Sequence, residues 1–383
     1  MAQVLTPHDK AELLKRGFTR RTFGRFATLL TAGATLPFYN ESALAQLSDV
    51  GTIPPDAVKI NANENPLGPC QEAAEAIYSI VKKGGRYLYE ETGTFVQTAA
   101  ELEGLKPSYV SPFPGSSDPL HRIVLAFCSP EKSLVVGDPG YEAAGRAARY
   151  IGAKEIKVPL AKDYSHDVKA MVAADPHAGV IYICNPNNPT GTLTSRADIE
   201  WALANKPSGS ILLVDEAYIH LSKALSSNCS DLVAKDKDLI VLRTFSKLYG
   251  MAGLRAGLAF GRPDLLQKLM MYAAGALPVT AMVGATASLK NKTLVPERRK
   301  TIGDIRADVF EHLDKHNIKY VRSDSNCFML DTKRPAKEFM QAMQAKKIYV
   351  GRVWAAWPTY SRITIGTRDE MQKFKSAVVE VMA

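Results

Sequence analysis

The stretch Thr244-Phe-Ser-Lys-Leu-Tyr-Gly-Met-Ala-Gly-Leu-Arg-Ala-Gly257 gathers two hydroxyls, a lysine, three glycines and an arginine in one turn-rich segment. Hydroxyls, a guanidinium and close backbone approach suit a phosphate. An amine held among them suits a Schiff base to an aldehyde. Taken alone, Ser246-Lys247 is an ordinary glycine-rich surface loop with a solvated lysine. Three further stretches shift that weighing: Gly115-Ser-Ser-Asp118, Asn185-Pro-Asn-Asn-Pro-Thr-Gly191 and Asp215-Glu-Ala-Tyr218. A Gly-Ser-Ser turn at a helix start leaves N–H groups facing outward, where an anion binds, although serine and aspartate there are also common caps. An aldehyde that carries its own phosphate is pyridoxal phosphate (PLP).

These groups must be held by elements, and the sequence supplies an alternating series. Ser133 to Val136, Glu155 to Val158, Val180 to Cys184, Ile211 to Val214, Leu239 to Leu242 and Gly257 to Phe260 read as strands. Helices read between several of them, from Tyr141 to Ile151, around Asp167 to Ala174, and after the cap Ser195 to Ala204. Short, continuous apolar strands alternating with helices predict a mostly parallel sheet covered on both faces. Ligands of such sheets bind beyond the carboxyl ends of the strands, which is where Asn185, Asp215 and Lys247 fall. Beyond Pro263 helices dominate to about His316. Cys327 to Leu330, Ile348 to Val350 and Arg362 to Ile365 then read as strands before a last helix, the pattern of a smaller α+β domain.

The chain has 383 residues, enough for two domains with sizeable cores. Its formal charge of +9 comes without a patch of interleaved Lys/Arg and aromatics, so a phosphorylated cofactor or an anionic substrate accounts for it better than nucleic acid does. Cys70, Cys128, Cys184, Cys229 and Cys327 are scattered and odd in number, which fits neither a disulfide framework nor a metal site.

Residues 1–45 read as an address. Thr19-Arg-Arg-Thr-Phe-Gly-Arg25 precedes a modestly apolar run from Phe26 to Phe38, and Ala43-Leu-Ala45 offers a small-x-small cleavage site. Arg20-Arg21 with Phe23 resembles a twin-arginine signal, implying a periplasmic or secreted protein, or a cytoplasmic one if the segment is retained. The apolar run is too short for stable membrane insertion.

In order along the chain, the four stretches above and Arg362-Ile-Thr-Ile-Gly-Thr367 resemble the fold-type I, class I/II PLP-dependent aminotransferases. Asn61-Ala-Asn-Glu-Asn-Pro-Leu-Gly68 and Asn185 to Thr192 are similar to the histidinol-phosphate aminotransferase branch in particular. The resemblance implies an α/β fold with a large PLP-binding domain over 76–285 and a small domain over 286–383, joined by an arm over 46–75. It implies that Lys247 carries the cofactor and moves the proton between Cα and the cofactor, and that Asp215 pairs with the pyridine N–H and keeps the ring an electron sink. Tyr218 and Asn188 would bind the phenolic oxygen, and Tyr141 would stack on the ring. Ser116, Ser117, Thr244, Ser246 and Arg255 would hold the phosphate, with Asp118 in support. Tyr87 would reach the phosphate of a partner subunit, making a homodimer with shared sites. Arg362 would bind the substrate's anionic group and Asn65 would close over it.

Three segments depart from the family pattern: Pro139-Gly-Tyr141, Arg86-Tyr-Leu-Tyr89, and Val350-Gly-Arg-Val-Trp-Ala-Ala-Trp-Pro358. The last replaces a segment with an arginine for a substrate phosphate, and Arg352 is offset from it. Trp354 and Trp357 either line an aromatic pocket or pack the small domain. The expected activity is transfer of an amino group between an amino acid, or an amino-alcohol phosphate, and a 2-oxo acid. The substrate would be of aromatic or imidazole type, such as histidinol phosphate or an aromatic amino acid. A decarboxylase or lyase uses the same lysine and aspartate and is the nearest rival; a non-catalytic PLP-binding protein is a more distant one.

Overall fold

The computed structural model describes residues 5–24, 26, 53–225, 228–272 and 277–383. The large domain is built on a seven-stranded sheet: β2 (Val110–Phe113), β3 (Ser133–Asp138), β4 (Glu155–Pro159), β5 (Ala178–Cys184), β6 (Ile211–Asp215), β7 (Leu239–Thr244) and β8 (Gly257–Gly261), in the order β2-β8-β7-β6-β5-β3-β4. The pairs β4–β3, β3–β5, β5–β6 and β6–β7 are parallel, and β8 runs against both its neighbours. The expected mostly parallel sheet is therefore what forms, with one reversed strand and an edge strand, β2, that the periodicity did not reveal. Every residue of β5, β6, β7 and β8 is buried, as continuous apolar runs covered on two faces require. The register sets Cys184 beside Asp215 and Asp215 beside Leu242, so the chain leaves three neighbouring strands at one sheet edge.

The helix Gln71–Val81 and the helix Tyr89–Glu103 both pack on the helix Val279–Lys290. That last helix runs across the boundary expected at 285/286. The 22-residue helix Leu294–Lys315 follows, burying Ile302, Ile305, Val309 and Leu313. Two small sheets complete the fold. β1 (Val58–Ile60) pairs in parallel with β10 (Ile348–Val350), and β9 (Cys327–Asp331) pairs antiparallel with β11 (Tyr360–Thr364). The arm is thus tied to the carboxyl-terminal elements by main-chain hydrogen bonds, and Asn61–Asn65 continue from it toward the sheet edge. The last helix, Arg368–Met382, starts in a capping box between Thr367 and Glu370. A further helix, Ala336–Ala345, went unread in the sequence.

The start of the chain was set apart as an address, yet its described part is packed. The helix Pro7–Lys15 opens in a Thr6–Asp9 capping box, and Leu5, Leu13, Phe18 and Phe26 join the hydrophobic core. Arg16 donates to the carbonyls of Leu125 (2.7 Å) and Cys128 (3.0 Å), at the carboxyl end of the helix Ser117–Phe127. The Ala43-Leu-Ala45 site and nearly all of the apolar run lie outside the described residues.

Candidate active site

A cavity of about 290 Å³ opens at the carboxyl ends of β5, β6 and β7. Ser116, Ser117, Tyr141, Asn188, Asp215, Tyr218, Thr244, Ser246, Lys247 and Arg255 surround it. Stretches of chain that lie far apart in the sequence thereby place ten of the thirteen residues expected at the site around one space. Ala62, Glu64, Cys184, Ala217, Ala252 and Gly253 complete the wall.

One end is a cradle for an anion. Gly115, at φ +83°, lies so close to Arg255 that a β-carbon there would stand 2.3 Å from the guanidinium. A β-carbon on Gly257 would stand 2.4 Å from the Gly115 backbone. Only glycines let these two loops close on each other. Arg255 donates to the Pro114 carbonyl (3.1 Å) and to Ser246 Oγ (3.3 Å), and Thr244 Oγ1 donates to Ser246 Oγ (3.0 Å). The helix Ser117–Phe127 points its amino end here, adding N–H donors and the favourable end of its dipole. Asp118 does not enter the cradle; its carboxylate binds Arg122 at 2.6 Å, one turn along the same helix.

The opposite end is built for a protonated ring nitrogen. Asp215 Oδ2 accepts from the Tyr182 hydroxyl (3.0 Å) and Oδ1 from the Ala217 N–H (3.1 Å). Burial is the largest influence and pushes its pKa up to about 6, against those hydrogen bonds and the charge of Lys247. A buried carboxyl whose ionised form lacks a full cation partner is one that a pyridinium N–H would satisfy. Behind it, Arg243 on β7 donates to Glu216 (2.7 Å) and Glu103 (2.9 Å), all but Glu103 almost wholly buried. Glu216 also accepts from the Cys229 N–H at 2.7 Å. This network locks the ends of β6 and β7, which carry Asp215 and Thr244.

Lys247 lies between the two ends, buried, its Nζ donating to the Asn63 carbonyl at 3.1 Å and standing 5.5 Å from the centre of the Tyr218 ring. Tyr141 is bonded through its hydroxyl to Ser117 at 3.2 Å. Aldehyde-reactive amine, anion cradle, ring-nitrogen partner and aromatic wall thus match the parts of pyridoxal phosphate. Among the described residues no group of His, Cys, Asp and Glu could hold a metal ion.

Three expected residues sit elsewhere. Arg362 is wholly buried just behind the wall, donating to Asn188 Oδ1 (2.9 Å) and the Asn61 carbonyl (2.8 Å), with Trp354 5.5 Å away under its guanidinium. Asn65 does not reach the cavity: its Nδ2 donates to the Leu248 carbonyl (2.8 Å) and its Oδ1 accepts from Leu67. It is a brace for the lysine-bearing segment, and the amide that its neighbour Asn63 offers is nearer the chemistry. Tyr87 is 74% exposed, stacked on Tyr89 at 5.7 Å, and contributes nothing to the cavity of its own chain. The sequence alone does not single out Asn63, Tyr182 or the Arg243 network. Asn63 lies inside the Asn61–Gly68 motif, and Arg243 sits one residue before Thr244.

The offset arginine also has a definite place. Arg352 pairs with Glu142 at 3.0 Å and lies 4.7 Å from the Trp354 ring, whose Nε1 donates to the Gly140 carbonyl at 2.8 Å. Trp357 contacts Tyr164 and Tyr360, at 5.4 and 5.1 Å between ring centres. A larger groove of about 920 Å³ lies at the other ends of the strands, between Lys15, Arg16 and Lys268; none of the chemistry above faces it.

Residues 55–378 match the family model described as aminotransferase class I and II. The chain is 30% identical over 336 residues to a histidinol-phosphate aminotransferase of Moorella thermoacetica, covering 86% of each protein. It is 32% identical over 326 residues to an aromatic amino acid aminotransferase of Nocardia farcinica, covering 84% of this chain and 90% of the relative. A crystal structure of a putative histidinol-phosphate aminotransferase from Erwinia carotovora atroseptica superposes with a TM-score of 0.81 at 28% identity, over 86% of this chain and 97% of that one.

Proposed function

The chain belongs to the class I and II aminotransferases and is a PLP-dependent transaminase, and from that premise we propose how its residues divide the work and which substrate they select. The observation that carries the proposal is the single cavity that brings Lys247, Asp215 and the Arg255 cradle together. PLP, when bound, supplies an electron sink that stabilises negative charge at the substrate's Cα. Lys247 anchors the cofactor and, once released, carries the proton to and from Cα. Asp215, ionised against the ring N–H, keeps that nitrogen protonated. Ser116, Ser117, Thr244, Ser246 and Arg255 hold the phosphate. Tyr218 and Asn188 bind the phenolic oxygen, and Tyr141 covers one face of the ring. Arg362 takes the substrate carboxylate from the far side of Asn188, so that substrate and cofactor oxygens meet on one asparagine.

We propose an aromatic amino acid as the donor. The arginine of this segment is engaged in an ion pair with Glu142, and Trp354, 5.5 Å from the Arg362 guanidinium, gives the carboxylate-binding arginine an aromatic surround. Histidinol phosphate is the second reading, favoured by the relatives of that name. Adding phenylalanine, histidinol phosphate or glutamate singly to the PLP-loaded protein tests this. Phenylalanine is expected to bleach the visible cofactor band fastest; bleaching by histidinol phosphate alone would overturn the choice. A band that no donor bleaches would favour decarboxylation or a lyase reaction.

The assembly we propose is a homodimer. Tyr78, Val81, Tyr87 and Tyr89 form a largely exposed aromatic and aliphatic surface around the helix Gln71–Val81, the kind of surface that dimers cover, and Tyr87 would then complete the partner's site. Sedimentation of the loaded protein checks this, with a monomer as the contrary result. We also propose that Arg20-Arg21 directs export of the folded, loaded protein. Fractionation of expressing cells, with and without an R20K/R21K exchange, tests that route.

A further inference from the structure

Asn63 is fully buried and held at φ +53°. Its main-chain N–H donates to Thr364 Oγ1 at 3.0 Å, and the Thr364 hydroxyl donates back to Asn63 Oδ1 at 3.0 Å. The amide orientation follows from both sides: the Thr364 proton finds its acceptor in Oδ1, and Cys327, whose thiol donates to the Pro189 carbonyl at 3.8 Å, is an acceptor that calls for the amide nitrogen. The Nδ2 is thereby aimed at the Tyr218 hydroxyl (3.0 Å) and at Cys327 Sγ (3.1 Å). The carbonyl of the same residue accepts from Lys247 Nζ (3.1 Å) and from Asn326 Nδ2 (3.2 Å). One residue of the arm therefore touches both Lys247 and Tyr218 while bonded to β11 of the carboxyl-terminal part.

We propose that Asn63 is a positioning residue that fixes the Tyr218 hydroxyl as a donor toward the cofactor's phenolic oxygen. The inference rests on the cofactor assignment and on the role given to Tyr218. A hydroxyl that accepts from Asn63 on one side directs its single proton to another, and the cavity with Asn188, Asp215 and Lys247 lies there. A donor on the phenolic oxygen makes that oxygen a poorer acceptor for a proton on the nitrogen joined to Lys247, so that nitrogen loses its proton at lower pH. The other titratable or charged groups packed around the cavity are Asp215 with Tyr182 behind it, Cys184, Glu64, Tyr141 and Arg255, and, outside its lining, Cys327 against Asn63 and Arg362 through Asn188. Removing the Asn63 side chain leaves all of them in place. Thr364, Asn326 and Cys327 belong to the small-domain elements, so movement of that domain reaches Tyr218 through Asn63.

The test is a spectrophotometric pH titration of the visible band in the PLP-loaded full chain, for wild type, N63G, Y218F and the double variant. Glycine suits the left-handed backbone and keeps all three main-chain contacts, including the carbonyl at Lys247. The midpoint is expected to rise by about half to one pH unit in N63G, the size of one hydrogen bond. Y218F should rise at least as far, and the double variant no further than Y218F. An unchanged N63G midpoint, or shifts that add, would overturn the inference. Should N63G fail to fold, N63D keeps the volume and turns the contact round, so that Tyr218 donates to the introduced carboxylate instead of the cofactor; the same rise is expected, and its absence is equally decisive. A wild-type protein that forms no visible band would instead refute the cofactor assignment.

Discussion

The two walls of the active site are made differently. The cofactor wall comes from one edge of the sheet: Asp215 and Thr244 end their strands, Asn188, Tyr218 and Lys247 lie three or four residues beyond a strand end, and Arg255 lies two before β8, with Arg243 and its two glutamates clamping the strands from behind. The substrate wall has no such frame. Ala62 and Glu64 come from the arm, and behind them stand Asn63, Arg362 from β11, and Trp354, buried in an irregular segment tied to the large domain by a hydrogen bond to Gly140 and an ion pair to Glu142. A sheet edge fixes positions by register and resists change. A wall assembled from side-chain contacts between two domains can be re-cut by a few substitutions. One family can thus keep its cofactor chemistry constant while its members differ in substrate.

The largest effect should come from the framed wall. K247A is expected to abolish the visible cofactor band and lower kcat by about 10⁴-fold or more; retention of near-native turnover would remove the lysine from its role. R362L, behind the unframed wall, should raise KM for amino acids and cut kcat/KM by about 10²-fold, the cost of a lost charge-assisted contact, with the cofactor band still formed and altered only through Asn188. Loss of the band would mean that the two walls are not separable.

Both sides contribute to stability. R243M leaves Glu216 and Glu103 without their cation and should cost about 3–5 kcal/mol in urea unfolding of the apo-protein, and W354A, which empties the place of a buried, hydrogen-bonded ring, should cost about as much. W354A should lower kcat/KM for phenylalanine about 10-fold against that for aspartate; equal losses for both would make Trp354 packing only. The remaining effect is one of pH. Asp215 is raised by burial from an ordinary carboxyl value to about 6, so between roughly pH 4 and 6 the native apo-protein binds a proton the unfolded chain does not. Stability therefore falls as pH rises through this window, by up to about 3 kcal/mol. D215N should flatten that dependence, and identical pH profiles would show that the burial penalty is relieved some other way.

The framed wall was legible because each of its groups sits at a short, fixed offset from an apolar run, and glycine at 115 and 257 announces a backbone too tight for any other residue. Asp215, Lys247 and Arg255 could be placed from their own neighbourhoods. The unframed wall rests on contacts across the chain: Asn63 meets Tyr218 at a separation of 155 residues, Lys247 at 184 and Thr364 at 301. No local spacing encodes these. Asn65 was read in the right loop and given its neighbour's proximity to the chemistry, because both are asparagines in one turn and only the fold decides which amide faces inward. Arg243 escaped for a related reason, since an arginine ending an apolar strand reveals nothing of Glu103, 140 residues earlier. The strand β2 is only four residues long and contains Pro112, which argues against a strand except at a sheet edge, where it lies.

The helix Ser117–Phe127 spans the large domain from the phosphate cradle to Arg16, whose guanidinium holds the carbonyls of Leu125 and Cys128. A cation at the carboxyl end and an anion at the amino end of one helix each favour the helix dipole. Each charge acts on its own terminal turn, so the two ends are secured independently: losing Arg16 would return the Leu125 and Cys128 carbonyls to water and leave the anion-holding turn as it is.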